Sequence, residues 1–204
     1  MDATTLHALM LAAALGVAAW WRPWRALDAP PAWPWLAWWA VMPLMWSVDH
    51  LLRLPLALPL SGMPLLVLML DWPLALLALA PVTAMAATVG GLGWDEALAR
   101  AVWLGVVPGA VAAGLGWALV RWLPHHLFIY ILGRGFFTTT VALTLAGALS
   151  SLQADVDSVV LARFLLASGE AFLTGMLTAI FVAFRPHWLR TWSDGLYLQR
   201  RSDV

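Results

Sequence analysis

Cysteine and lysine are both missing from this 204-residue chain, and charge of either sign is scarce, at 11% of residues against about 25% in a soluble domain. Without cysteine there is no disulfide, no thiolate metal site, no iron–sulfur cluster and no thiol nucleophile. Without lysine every one of the 11 basic residues is Arg, and these balance 11 acidic residues to a net charge of zero. The chain therefore offers no basic surface for nucleic acid and no acidic tail for a basic partner. It also lacks the Gly-x-x-x-x-Gly-Lys-[Ser/Thr] phosphate loop, so ATP hydrolysis is not its own chemistry. No repeat of 20–50 residues recurs.

What the chain has in abundance is apolar side chain, 63% of the total with a mean hydropathy of +0.84. Soluble globular folds are excluded on that ground. A span needs about 20 apolar residues to cross hydrocarbon. The expected fold is all-α, a polytopic integral membrane bundle of about seven transmembrane helices, at roughly 4–21, 33–48, 54–70, 73–92, 98–120, 127–152 and 158–184. The second and third are short and carry Pro34, Pro43, Pro55, Pro59 and Pro64, so one of them is expected to be kinked, re-entrant or incomplete. Residues 1–184 would form one transmembrane domain and 185–204 a short cytoplasmic or interfacial tail.

Orientation follows from Arg. The first span has no basic residue before it, since Arg22 and Arg25 come after the apolar run, so it is expected to remain as a helix with its N-terminus outside. Seven spans then leave Arg22, Arg25, Arg121, Arg185, Arg190, Arg200 and Arg201 on the inner side, and Arg53 and Arg100 on the outer side. That is the positive-inside pattern of an inner-membrane protein. The 15 Trp residues include seven around the first loop, at 20, 21, 24, 33, 35, 38 and 39, suited to an aromatic belt in the lipid bilayer interface.

Ionisable residues inside spans mark function by default, because they need a partner or a cavity. Glu170 is the deepest, and Arg163, Ala167, Glu170, Thr174 and Thr178 fall on one side of the last helix. Arg134 or Arg163 is within reach of Glu170. Depth counted along antiparallel sixth and seventh helices favours the Arg134–Glu170 pair, as a helix lock or as part of a transport path. Gly105, Gly109, Gly114 and Gly116 give the fifth helix small faces for close packing. Asp2, His7, Asp49 and His50 gather at the outer end as a weak transition-metal candidate. One buried carboxylate without a buried His gives no acid–base pair, and an enzyme is not expected.

Several stretches carry a family resemblance: Leu123-Pro124-His125-His126-Leu127-Phe128-Ile129-Tyr130-Ile131 with Gly135-Phe136-Phe137, then Gly169-Glu170-Ala171-Phe172-Leu173-Thr174-Gly175-Met176-Leu177, and Phe184-Arg185-Pro186-His187-Trp188. The chain resembles the energy-coupling-factor permeases, relatives of the CbiM/NikM cobalt and nickel uptake components. The likeness covers the last 85 or so residues well and the seven-span layout loosely. It implies a substrate-capture permease for a transition-metal cation, carried as substrate with no covalent cofactor. It also implies a separate transmembrane coupling protein and ATP-binding subunits as partners. The family's second-position His is absent from Met1-Asp2-Ala3, and Pro59 stands where relatives carry another His, so no metal ligand is carried over. The alternative function is a non-transporting inner-membrane scaffold or assembly factor.

Overall fold

Peptide N–H and C=O groups find no water partner in hydrocarbon, so apolar segments of this length satisfy them internally as helix. The computed structural model describes residues 2–26, 33–53, 59–151 and 157–198, and is helical throughout, with no strand among the described residues. In chain order come α1 (Ala3–Trp20), α2 (Pro34–Leu51), α3 (Met63–Leu70), α4 (Trp72–Thr88), α5 (Trp94–Trp122), α6 (Ile129–Ser151), α7 (Asp157–Phe184) and the single-turn α8 (Asp194–Tyr197). Four stretches are long and apolar enough to cross a membrane: Ala3–Arg25, Trp94–Trp122, Ile129–Ser151 and Leu161–Phe184. At most 33% of each apolar window is covered by the rest of the protein. The large uncovered apolar surface is what a lipid solvent requires and water forbids.

The second to fourth expected spans are carried by helices that are shorter or more polar. α2 runs unbroken through Pro43, which is buried inside it, so no break occurs there. α3 has only eight residues, about 12 Å of helix, and cannot cross a ~30 Å core. Every one of those eight residues is buried. Its start is set by Gly62, at φ 71°, with Pro64 in the first turn. Its end is set by Asp71, at φ 68°, whose carboxylate accepts the Trp72 N–H at 2.8 Å and so begins α4 as it stops α3. Residues 54–58, the start of the third expected span, lie outside the described residues.

Glycines let neighbouring helices reach α3 and α4. A Cβ on Gly109 would stand 2.6 Å from Met63 Cε, and one on Gly105 would stand 2.7 Å from Leu79 Cδ1. α6 and α7 run antiparallel, with Gly135 against Gly175 and Thr178, and Gly147 against the Arg163 side chain.

The tail packs back on the bundle: Leu189, Trp192 and Tyr197 are buried with Tyr130, Leu65, Leu68 and Met69. The Arg190 and Thr191 N–H groups donate to the Met69 and Leu68 carbonyls at 3.4 and 3.3 Å, and so serve the orphan acceptors at the end of α3. Arg100 sits about two turns into α5. It lies buried within α5, forked onto Asp49 at 2.7 and 2.6 Å and also bonded to Glu96 and the Trp46 carbonyl. His50 closes this cluster through Glu96 at 3.1 Å.

Removing Arg100 alone leaves the buried Asp49 without a counter-charge. Arg100→Met is expected to destabilise by about 3–5 kcal/mol, whereas the exposed His50→Ala is expected to cost under about 1 kcal/mol. Thermal unfolding of the purified protein in detergent distinguishes the two.

Candidate functional site

A helix that starts inside a bundle brings up to four unpaired N–H donors to a place without water. α3 meets this demand with a carboxylate from α7 and the hydroxyl of Ser61, just ahead of it. Glu170 of α7, only 3% exposed, accepts the Ser61 N–H on Oε2 at 2.7 Å and the Gly62 N–H on Oε1 at 2.8 Å. The Ser61 hydroxyl accepts the Met63 N–H at 3.1 Å and donates to the Leu104 carbonyl at 2.6 Å. The carbonyls of Ser61 and Gly62 accept the indole N–H groups of Trp46 and Trp38 at 2.9 and 2.8 Å.

The Leu104 carbonyl is available for a local reason. In an α-helix it would take the N–H four residues on, but that residue is Pro108, which has none. Residues Ala101–Val106 wind as a π-helical turn just ahead of Pro108, a form that recurs at functional sites. Electrostatics agree with the geometry, since the Glu170 carboxylate stands at the positive end of the α3 dipole.

Beside this junction is a cavity of about 30 Å³, lined by Pro59, Ser61, Leu104, Arg163 and Glu170 among others. Arg163 Nε is buried there without a hydrogen-bond partner. The cavity lining therefore includes a guanidinium, a carboxylate and a hydroxyl. Ala167, Glu170, Thr174 and Thr178 are all buried along the inward face of α7.

The structure does not bring Arg134 to Glu170. Gly135 lies opposite Gly175 and Thr178, while Gly147 lies opposite Arg163. This register sets Arg134 roughly two turns, or about 10 Å, from the level of Glu170. Arg134 instead seats on Gly116, lies 5.7 Å from the Tyr130 ring centroid and reaches the Thr191 carbonyl at 3.4 Å. Arg163 lines the same cavity as Glu170 but forms no ion pair with it. Chain counting placed both α6 and α7 at assumed membrane edges, and the error in those edges exceeded the distance at issue.

The outer-end metal candidate does not assemble. Asp49 is taken by Arg100 and His50 by Glu96, while His7 accepts the Trp103 indole N–H at 3.2 Å. Asp2 accepts the Thr5 hydroxyl, which holds its carboxyl below the ordinary value. Among the described residues no three His, Cys, Asp or Glu side chains could hold a metal ion together. Sequence reasoning missed Ser61, Gly62, Trp38, Trp46 and Leu104. The cue was present in Pro59-Leu60-Ser61-Gly62-Met63-Pro64, whose Ser-Gly between prolines signals a backbone break needing buried partners.

No protein-family model, no curated protein and no solved structure matches the chain.

Glu170→Ala leaves two buried N–H donors unmatched, each costing about 1–3 kcal/mol. Glu170→Gln retains one acceptor and turns an NH₂ toward the other amide, so it is expected to lose less than Glu170→Ala and more than Thr174→Val. Detergent melting temperatures in that order are expected, and a silent Glu170→Ala would refute the junction.

Proposed function

We propose that the chain is a membrane substrate-capture component, a permease of seven crossings with its N-terminus outside, working with separate energised partners. The observation that supports it best is α3, a buried half-helix whose N-terminus ends on a carboxylate from another helix. Transporters build their binding sites from such discontinuous helices, because helix ends present unpaired backbone groups to a solute. Here α1, α5 and α7 would run inward, α2, α4 and α6 outward, and α3 would run inward as the last part of the third crossing. Arg22, Arg25, Arg121, Arg185 and Arg190 then fall inside, in keeping with the positive-inside pattern.

A solute arriving from the outer side meets the Arg163–Glu170 cavity above the α3 N-terminus. Two outcomes of its arrival are chemically distinct. A cation takes oxygen ligands from Glu170, Ser61 and Leu104, whereas an anion competes with Glu170 for the Ser61 and Gly62 amides. The resemblance to the cobalt and nickel uptake components favours a metal cation as cargo.

One observation favours a second reading, a non-transporting scaffold. Among the described residues, both buried carboxylates already have partners within the protein, Asp49 on Arg100 and Glu170 on two amides.

Calorimetric titration of untagged protein with nickel, cobalt, zinc and copper ions separates the two. Saturable binding near one ion per chain, weakened in a folded Glu170→Gln variant, is expected of the permease. Absence of binding for every ion, with a stable partner but no ATP-binding subunit recovered on purification, would assign the scaffold.

A further inference from the structure

Away from Glu170, where α1 ends and the tail packs, lies a cavity of about 520 Å³ between α1, α3, α4, α5 and α6. That volume falls within the roughly 300–1,000 Å³ typical of ligand sites. Its walls are of two kinds. Val67, Ala110, Ala113 and Gly114 make an apolar slot, and Arg134 and Asp71 stand in it as the charged residues.

The slot opens on the flank of α5. Ala110, Gly114 and Trp117 are exposed, and α5 is one of the four helices apolar enough to cross a membrane, so the opening faces acyl chains. From Ala110 to Val120 the wall extends about 15 Å, the depth of one leaflet.

One cation, Arg134, and one carboxylate, Asp71, stand at the mouth. Trp21, Asp71 and Pro73 also line an adjoining cavity of about 170 Å³, to which Arg190 contributes. The Asp71 carboxylate is engaged locally as the cap of α4. Arg134 has five N–H donors to place, and the hydrogen bond it makes is one long contact to the Thr191 carbonyl.

We infer that this groove binds one anionic phospholipid, its headgroup phosphate on Arg134 and one acyl chain along the Ala110–Gly114 face of α5. An aliphatic chain suits the apolar slot, and the phosphate supplies acceptors to the guanidinium that the protein leaves underused. A free soluble anion would leave the slot unfilled.

Native mass spectrometry of the full chain, delipidated in detergent and titrated with phosphatidylglycerol, phosphatidylethanolamine or inorganic phosphate, tests this. The wild type is expected to retain one phosphatidylglycerol per chain, preferred over phosphatidylethanolamine by about fivefold or more. Arg134→Gln is expected to abolish that preference. Gly114→Leu is expected to lose both lipids while folding normally, because a Cβ at Gly114 enters open space. Equal retention of the two lipids by the wild type, or unchanged retention by Gly114→Leu, would overturn the inference. Displacement of phosphatidylglycerol by inorganic phosphate alone would assign the Arg134 site to a free anion and overturn the lipid occupant.

Discussion

The Glu170 carboxylate on the Ser61 and Gly62 amides is the contact on which the rest of the structure depends. A helix of eight residues, buried along its whole length, has too few internal hydrogen bonds to satisfy its own termini. It exists in this bundle only because other elements serve those ends. Glu170 and Ser61 supply acceptors at the start, and the backbone of residues 190–191 supplies donors at the finish. Removing either support leaves unpaired peptide groups in the bundle interior, at a cost comparable to the whole stability of a marginal domain.

Neighbouring features follow from that requirement. Pro108 withholds the donor that the Leu104 carbonyl would otherwise use, and the freed carbonyl receives the Ser61 hydroxyl. Two indoles, Trp38 and Trp46, close over the junction with their N–H groups on its carbonyls. Trp46 is buried and Trp38 half-buried, and both act as hydrogen-bond donors in the bundle, a different use from the interfacial belt that the number of Trp residues suggests. The two buried carboxylates thus find different partners. Asp49 takes a cation in a forked ion pair, and Glu170 takes neutral backbone donors at a helix end. The second arrangement sets the carboxylate at the positive end of the α3 dipole with backbone amides rather than a charged side chain as its partners.

Some of the site was visible in the chain before any fold was known. Glu170 stands out as a carboxylate in the middle of an apolar run, and the 3.6-residue period places Ala167, Thr174 and Thr178 beside it, where the structure buries them. Gly105 and Gly109 read as close-packing positions and are pressed against Leu79 and Met63. The partner of Glu170 was not visible. A charged residue suggests a charged partner, and backbone amides carry no mark in the sequence; Ser61 and Gly62 lie more than 100 residues away. Arg134 was assigned by depth, yet depth counted from assumed helix ends carries an error of several residues, and a shift of two turns separates a pair from two strangers.

Composition and periodicity by themselves determined the class: apolar runs too long and too sparsely charged for water must be helices, and the inward face of α7 must be the one bearing Glu170. These are properties of each segment taken alone, set by backbone hydrogen bonding and side-chain spacing. Tertiary structure alone decided that α3 is a half-helix, that the tail caps it and that Arg100 rather than Arg134 joins a carboxylate. Each of those outcomes depends on the rotation and register of helices packed side by side, which are settled by where glycines admit a neighbour and by which peptide groups must be paired.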